Sequence, residues 1–178
     1  MSSQTFIYRN ATLDDALTLS VLATQVFLDT YATRGVDRDL AKEASVIYSE
    51  AEFLKRLQDP SVEITVAQDG NYLIGFLDLT SGTRCPVGKV EGLEVFRLYV
   101  QAPFQRHGVG RQLMALAELK AIERKSPHLW LTAWSGNTRA LAFYPSLGYE
   151  DVGATPYVIE GKEYENRVFI KRVALSAA

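Results

Sequence analysis

Hydrophobic residues in the first third of the chain recur mainly at helical spacing. A short apolar run precedes Asn10–Asp15, which supplies capping residues and first-turn acids for a helix that ends near Tyr31. Asp59-Pro60 stops the helical pattern, because a proline disfavours helical backbone in the residue before it. The elements predicted for this part are a strand at Phe6–Arg9, the helix to Tyr31, and shorter helices at Leu40–Tyr48 and Glu52–Leu57.

Strand patterns become frequent from Val62 onward. Val62–Ala67 alternates and is rich in β-branched residues, and the turn signal Asp69-Gly70-Asn71 joins it to a second strand over Tyr72–Leu79. The further predictions are a loop over Ser81–Lys89, strands over Leu93–Val100 and His128–Trp134, helices over about Gly108–Lys125 and Asn137–Leu147, and strands near Tyr149–Thr155 and Tyr164–Ile170. Hairpins followed by a strand-helix-strand-helix-strand run predict the α/β class: a mixed, mostly antiparallel sheet of about six to seven strands with helices on both faces.

Length and charge narrow the classes of function. The 178 residues correspond to one domain at about 150 residues per domain. Nineteen Lys and Arg against 21 Asp and Glu give a net charge of -2, which provides no overall positive field for nucleic acid or anionic lipid. The start of the chain lacks the pattern of a secretion signal, and no stretch approaches the roughly 18 apolar residues of a membrane span. We therefore expect a cytoplasmic protein without a nucleic-acid or membrane partner.

The sequence has too few cysteines and histidines for a metal site to be recognised from them. The lone Cys85 cannot form an intramolecular disulfide, and His107 and His128 are the two histidines. Because zinc sites need clusters of such residues, we expect no metal.

A glycine-rich turn, Gln105–Arg111, lies between a predicted apolar strand and a predicted helix. Backbone N–H groups at a helix start carry partial positive charge, and glycines let a phosphate approach them without a Cβ in the way. Arg106 and Arg111 add formal positive charge, so the turn is predicted to hold a pyrophosphate. The alternative is a tight turn without a ligand. A Walker loop is excluded because no Lys-Ser/Thr pair follows the glycines, and a dinucleotide fingerprint needs a small residue where Leu113 stands.

Two segments carry a resemblance to a known family. Leu98-Tyr99-Val100, Pro103 and Gln105-Arg106-His107-Gly108-Val109-Gly110 resemble the central Q/R-x-x-G-x-G/A motif of the GNAT N-acetyltransferases, which bind acetyl-CoA. Asn137–Tyr149 is similar to that family's N-x-x-A-x-x-F-Y-x-x-x-G-F/Y segment. The PaiA-type branch, associated with polyamine acetylation, is the most similar one, on Glu94–Val100 and the strand with Trp130 and Trp134.

The resemblance implies a single N-acetyltransferase domain over 1–178. Its helical acceptor-side part would span about 10–58 and its acetyl-CoA-binding core about 90–150. In the family fold the pantetheine arm inserts between two splayed parallel strands. The implied acetyl-CoA contacts are Leu98, Tyr99, Val100, Gln105, Arg106, His107, Gly108, Val109, Gly110, Arg111, Asn137 and Phe143.

Acetyl transfer to an amine requires a base for the amine and an acid for the departing thiolate. A lysine-like amine of pKa about 10.4 costs roughly 4–5 kcal/mol to deprotonate at neutral pH. The resemblance places Tyr144 beside the thioester sulfur as the acid. Glu94 is the candidate base because strand alternation gives it the same face as Phe96 and Leu98, and Glu91 is the reserve.

Each of these residues also has a structural interpretation. Tyr144 can be a core tyrosine, Glu94 can pair with Arg97 or be solvated, and Asn137 can simply cap its helix. His107, beside two arginines, is more often a backbone-positioned residue than a base.

The acceptor stays open at this point. Aromatic Phe27, Tyr31 and Trp134 with acidic Asp29 and Asp37 could hold a cation, but core aromatics and solvated acids are the favoured interpretation. A polyamine, another small amine and a peptide N-terminus are all compatible with the sequence.

Two further questions are left open by the sequence. A non-catalytic acyl-CoA-binding module is the alternative to an enzyme, and a homodimer is one option for assembly. Substrate specificity is expected from the first helices and from the loops after Leu79 and Thr155.

Overall fold

The fold is described from a computed structural model, in which residues 5–174 are defined. The strands are β1 (Ile7–Asn10), β2 (Val62–Asp69), β3 (Tyr72–Arg84), β4 (Glu91–Val100), β5 (His128–Trp134), β6 (Glu150–Ile159) and β7 (Lys162–Arg172). The helices are α1 (Ala16–Tyr31), α2 (Arg38–Ile47), α3 (Glu50–Gln58), α4 (Val109–Glu123) and α5 (Thr138–Phe143). Short 3-10 turns lie at Leu13–Asp15, Ala102–Phe104 and Pro145–Leu147.

The seven strands form one mixed sheet in the order β1-β2-β3-β4-β5-β7-β6. The pairs β1/β2, β5/β7 and β6/β7 are antiparallel. Strand β4 pairs with β5 in parallel, at Leu93 with Leu129 and at Glu94 with Trp130. The predicted α/β class with a mostly antiparallel sheet is therefore confirmed.

Three predicted element boundaries were wrong. Strand β3 continues to Arg84, into the segment predicted as a loop, and β6 runs past Thr155 to Ile159 because it stays in register with β7. The helix predicted to reach Leu147 ends at Phe143. Pro145 follows closely, and its missing N–H and fixed φ favour the tighter turn seen there.

Strand β6 lies at one edge of the sheet and is irregular. Its register with β7 shifts between Asp151 and Gly153, which marks a β-bulge. Pro156 lies further along the same strand, opposite Glu165. An edge position suits a proline, because a proline cannot donate a hydrogen bond to a neighbouring strand.

The chain divides into two compact units, and the single-domain organisation stays a prediction. The first unit comprises the described residues up to Asp78 together with Arg97–Met114. Its hydrophobic core is built from α1, α2, α3, β2 and β3, with Phe53 and Phe76 in edge-to-face contact at 5.8 Å. Asp37 caps α2 by accepting a hydrogen bond from the Leu40 N–H at 2.9 Å.

A buried ionic network crosses the first unit. Asp78 of β3 is completely buried and accepts hydrogen bonds from Arg56 Nε and Nη2 at 2.8 and 2.6 Å. Arg97 Nη1 of β4 donates to the same carboxylate at 3.3 Å, and its guanidinium lies 5.0 Å from the centroid of the Tyr48 ring. The Tyr48 and Tyr99 hydroxyls are 2.9 Å apart. These contacts tie α3, β3, β4 and the end of α2 to one carboxylate.

The second unit comprises Leu79–Phe96 and the described residues from Ala115 onward. Its part of the sheet contains the end of β3, the first part of β4, and strands β5, β7 and β6. On one face, Cys85 packs with Trp130 and Val168 in a small hydrophobic cluster. The Cys85 thiol is free and 1% exposed, and burial raises its pKa. The cysteine thus serves as a small apolar residue.

Within the range 5–174, no helix combines the length and the apolar character that crossing a membrane requires.

Replacing Asp78 tests the ionic network. Asp78→Ala leaves two largely buried guanidinium groups without their carboxylate, and we expect the free energy of unfolding to fall by about 3–5 kcal/mol. Equilibrium urea denaturation measures the change. Glu91→Ala is the control, because the Arg84–Glu91 pair is 72% and 75% exposed and should be worth less than about 1 kcal/mol. A loss below about 1 kcal/mol for Asp78→Ala would contradict the role given to this carboxylate.

A second prediction concerns pH. The Arg9 guanidinium donates to both oxygens of Asp15 at 2.7 and 2.8 Å, and these hydrogen bonds lower the pKa of Asp15 from 3.8 to about 2. A lowered native pKa contributes stability above about pH 4 that is lost as the pH falls toward 2. A pKa shift of about two units corresponds to roughly 2.7 kcal/mol of stability. Because Arg9 is partly exposed and the pair is screened by solvent, we expect the ion pair to contribute about 1 kcal/mol.

The matching variant is Asp15→Asn. Its free energy of unfolding should lie about 1 kcal/mol below that of the unmodified chain at pH 7, and the two should converge near pH 2. Urea denaturation across this pH range measures the difference. A gap that is independent of pH would show that the charge of Asp15 does not contribute.

Candidate functional site

The glycine-rich turn has a backbone suited to anion binding. Arg106 and Gly108 have φ angles of 65° and 84°, in the left-handed region. The first intrahelical hydrogen bond of α4 runs from the Gln112 N–H to the Gly108 carbonyl at 2.9 Å, so α4 leaves the N–H groups before Gln112 without intrahelical partners. No atom lies within 4 Å of the position that a Cβ on Gly108 would occupy. The backbone is open to a ligand at this point.

The side chains of the turn are arranged with their charges outward. Arg106, His107 and Arg111 are exposed, whereas Val109 is 1% exposed and anchors the start of α4. His107 Nδ1 lies 2.8 Å from the Gln105 carbonyl oxygen. This contact agrees with the structural interpretation of His107 as a backbone-positioned residue.

Gln105 ties the turn to the strand that precedes it. Its Nε2 donates to the Val100 carbonyl at 3.0 Å. One hydrogen bond therefore links two of the predicted acetyl-CoA contacts. With two exposed arginines and a helix N-terminus, the turn offers the charge and the space that a pyrophosphate needs.

At the end of β4, successive side chains point to opposite faces of the sheet. Tyr99 shares the buried face of Arg97, and its hydroxyl contacts that of Tyr48. Burial raises the pKa of both tyrosines. A Cβ on Gly75 would lie 2.7 Å from the Tyr99 carbonyl oxygen, so a glycine is required there. The Tyr99 side chain is thus engaged in the protein interior.

In the second unit, hydrogen bonds fix the backbone around Tyr144. Asn137 Oδ1 accepts from the Ala140 N–H at 3.1 Å and caps α5, as its structural interpretation expects. The Tyr144 carbonyl accepts from the N–H groups of Leu147 and Tyr149 at 3.0 and 3.2 Å. Gly148, with a φ of 82°, allows the chain to reverse between them.

The Tyr144 side chain lies in an aromatic cluster. Its ring centroid is 5.3 Å from that of Phe143, 6.0 Å from Tyr149 and 5.6 Å from Phe169. The residue is 8% exposed. Such packing gives the ring one defined position, which a core role and an acid role both require.

Lys171 supports this segment from β7. Its Nζ donates to the Leu147 carbonyl at 2.8 Å and to Glu118 Oε1 at 2.6 Å. The lysine thereby connects the segment after α5 to the side chain of Glu118 on α4.

Glu94 lies where the strand alternation predicted. Glu94 pairs with Trp130 of β5 across the parallel strands. Its side chain lies on the same face of β4 as that of Phe96. Arg97 alternates onto the opposite face of β4 and binds Asp78. The negative charge of Glu94 also raises the pKa of the Cys85 thiol.

The other predicted residues have structural roles or are exposed. Glu91 is exposed and pairs with Arg84 at 2.8 Å. Phe27 is 2% exposed and packs against Tyr31 with ring centroids 4.8 Å apart. Asp37 caps α2. Phe27 is thus a core aromatic and Asp37 an exposed helix-capping acid, which agrees with the interpretation as core aromatics and solvated acids.

The sequence analysis missed the ionic network around Asp78. A signal was present, since Asp78 interrupts an apolar strand and Arg97 interrupts the next one. Charges within such strands usually need partners. Within the described range, no group of three or more His, Cys, Asp or Glu side chains is arranged to hold a metal ion.

Comparison with known proteins shows which family the chain resembles. Residues 31–149 match the model of the acetyltransferase (GNAT) family. A protein of Lactobacillus delbrueckii subsp. lactis, described as an uncharacterized N-acetyltransferase in the pepI 3' region, is 28% identical over 128 residues, which are 71% of this chain and 74% of that protein.

Solved structures share the fold at low sequence identity. The PaiA N-acetyltransferase of Thermoplasma acidophilum, in complex with coenzyme A, has a TM-score of 0.74 and 19% identity, over 94% of this chain and 99% of that one. The ribosomal-protein-alanine N-acetyltransferase of Brucella melitensis has a TM-score of 0.69 and 22% identity, over 93% and 99%.

Proposed function

The chain belongs to the acetyltransferase (GNAT) family, and we propose that it transfers an acetyl group directly from acetyl-CoA to a primary amine of a small molecule or peptide. Family membership makes it an N-acetyltransferase that uses acetyl-CoA. The observation that carries the proposal is the open, left-handed backbone at Gly108 between two exposed arginines. A polyamine, to which the PaiA-type branch points, is one acceptor among several.

The turn is proposed to hold the pyrophosphate of acetyl-CoA. The N–H groups at the start of α4 would donate to phosphate oxygens, and Arg106 and Arg111 would neutralise their charge. Leu98, Val100 and the backbone of Tyr99 would line the pantetheine arm. Asn137 and Phe143 are proposed as further acetyl-CoA contacts.

Tyr144 is proposed as the general acid and Glu94 as the general base. Acetyl-CoA supplies an activated acetyl group and a thiol leaving group. Glu94, directly or through water, would take a proton from the amine, whose nitrogen forms the new C–N bond. Tyr144 would donate its hydroxyl proton to the sulfur as the C–S bond breaks. A phenol of pKa about 10 can protonate a thiolate of pKa about 8.5 if the site tunes it.

Direct transfer suits this set of residues. Cys85 is buried with a raised pKa, which disfavours the thiolate that a covalent acyl-enzyme route would need. A peptide N-terminal amine of pKa about 8 would cost only about 1–2 kcal/mol to deprotonate. A protein N-terminus is therefore a second acceptor class that the same machinery could serve.

The first experiment follows thiol release from acetyl-CoA with a panel of amines. Release that depends on an amine establishes the transfer, and Tyr144→Phe should reduce kcat by roughly 100-fold or more, because the variant keeps the ring but loses the proton donor. The Kd for acetyl-CoA, followed by calorimetry, should stay nearly unchanged.

Tyr149→Phe is the matched control for Tyr144→Phe. Tyr149 is a buried tyrosine whose hydroxyl has no hydrogen-bond partner among the described residues. Its removal should leave kcat within about twofold. Unchanged turnover in Tyr144→Phe would remove Tyr144 from the mechanism.

Gly108→Ala tests the phosphate turn. The added Cβ would enter the open space beside the N–H groups, and we expect the Kd for acetyl-CoA to rise at least tenfold. Gly70→Ala is the control for backbone strain, because Gly70 also has a positive φ, 57°, and open space at the Cβ position. Both variants should lose about 1–2 kcal/mol of stability. Equal acetyl-CoA affinities in calorimetry would contradict the site.

A further inference from the structure

Strand β7 contacts the segment after α5 at two points. The ring of Phe169 packs against the ring of Tyr144. Two residues further along β7, Lys171 Nζ donates a hydrogen bond to the Leu147 carbonyl at 2.8 Å. Alternate residues of a strand share a face, so both contacts reach the segment from the same side of the sheet. We call residues 144–149 the tyrosine turn.

Lys171 shares its face of the sheet with buried apolar residues. It is paired with Leu129 of β5, and Phe169 is paired with Leu131. These three hydrophobic residues are at most 1% exposed. A charged group beside such residues requires partners that replace its hydration. The ammonium group of Lys171 therefore needs partners at the end of its aliphatic stem.

Glu118 of α4 supplies one of these partners. Its Oε1 accepts a hydrogen bond from Lys171 Nζ at 2.6 Å, and the lysine and glutamate side chains are 25% and 30% exposed. Partial burial strengthens such an ion pair relative to one in open solvent. The carboxylate therefore fixes where the ammonium group lies.

The lysine contacts three successive residues of the tyrosine turn. Besides the hydrogen bond to the Leu147 carbonyl, its Cε lies 3.8 Å from the position that a Cβ on Gly148 would occupy. Its Nζ lies 5.6 Å from the centroid of the Tyr149 ring. Gly148 has a left-handed backbone, with a φ of 82°. The lysine thus lies against the residues at which the chain reverses direction.

These contacts continue to Tyr144. The Leu147 and Tyr149 N–H groups both donate to the Tyr144 carbonyl, and the Tyr149 ring lies 6.0 Å from the Tyr144 ring. Both residues are in contact with Lys171 as well. A change at the lysine therefore reaches the backbone and the ring of Tyr144.

A general acid must hold its proton within hydrogen-bond reach of the leaving atom. A misplacement of about 1 Å costs up to roughly 100-fold in rate. The hydrogen bonds within the tyrosine turn fix its internal shape, whereas its placement on the sheet depends on the contacts with β7. Phe169 supplies an apolar contact, and Lys171 supplies a directional one.

Resting on the assignment of Tyr144 as the general acid, we propose that Lys171 is a positioning residue for Tyr144 and that Glu118 holds Lys171 in place. Lys171 acts on the reaction through the tyrosine turn, at the Leu147 carbonyl and the Tyr149 ring. It contributes to proton delivery to the thiolate and not to the binding of acetyl-CoA or of the amine.

Lys171→Met tests this role, because methionine keeps an unbranched stem and loses both hydrogen bonds. We expect kcat to fall about tenfold, with KM for the amine and Kd for acetyl-CoA within about twofold of the unmodified chain. In the Tyr144→Phe background the same substitution should change kcat less than about twofold, since the hydroxyl group that Lys171 positions is gone. A purely structural role would lower kcat by the same factor in both backgrounds.

Two further variants and a control accompany it. Lys171→Arg keeps the donors and should hold kcat within about threefold of the unmodified chain. Glu118→Gln removes the charge that holds the lysine and should lower kcat about threefold. Lys120→Met is the control, because Lys120 also pairs with a carboxylate of α4, Glu123 at 3.2 Å, and is 28% exposed. Its kcat should stay within about twofold.

The position of Tyr144 can also be followed without turnover. We expect that 3-fluorotyrosine placed at position 144 alone gives a fluorine resonance that shifts or broadens in Lys171→Met, because the ring loses its fixed surroundings. The resonance should be unchanged in Lys120→Met. If Lys171→Met does not fold, Glu118→Gln carries the same two measurements.

Equal losses of kcat in the two backgrounds, or an unchanged fluorine resonance, would overturn the positioning role while leaving acetyl transfer intact. If Tyr144→Phe keeps full turnover, or if no amine is acetylated, the assignment of the acid or direct transfer fails instead. The fluorine resonance then decides about Lys171. A shift in Lys171→Met supports its hold on Tyr144, and an unchanged resonance overturns it.

Discussion

The first unit depends on the pairing of a buried carboxylate, Asp78, with two arginines. Burying an ion requires partners that replace its lost hydration, and Arg56 and Arg97 supply them. This requirement fixes which face of β4 points inward. Because Arg97 must reach Asp78, Leu98 and Val100 take the other face, and the strand arrives at the glycine turn with a defined orientation.

The residues proposed for cofactor binding and for catalysis are each held by a different kind of interaction. Gly108 depends on a backbone conformation that other residues rarely adopt, whereas Tyr144 depends on ring packing and on a carbonyl that accepts two hydrogen bonds. Glu94 depends on strand register. The proposed acid and the proposed base, both in the second unit, are thus each held by contacts of their own.

Local patterns made much of the fold predictable from the sequence. The alternation in Val62–Ala67 and the helical spacing after Gly108 reflect short-range geometry, and both elements are present. The ends of β3 and β6 were predicted too early. In β6, pairing across the turn with β7 continues the strand beyond Pro156, to the pair Ile159 with Lys162.

The candidate site was predictable to a similar extent. The glycine turn and Tyr144 are predicted from motifs, and the face of Glu94 from alternation. The partners of Arg97 are not, since Asp78 is 19 positions away and the strand pattern does not say which charges meet. The contact of Lys171 with the Leu147 carbonyl likewise joins positions 24 apart, which a single sequence does not reveal.

The irregular edge strand β6 has a consequence for self-association. A straight edge strand exposes a row of backbone donors and acceptors that another chain can extend, as in aggregates and strand-swapped assemblies. The bulge at Asp151–Gly153 and Pro156 interrupt that row. A homodimer would accordingly have to be built from side-chain surfaces or from the opposite edge of the sheet, and this edge is protected against open-ended growth.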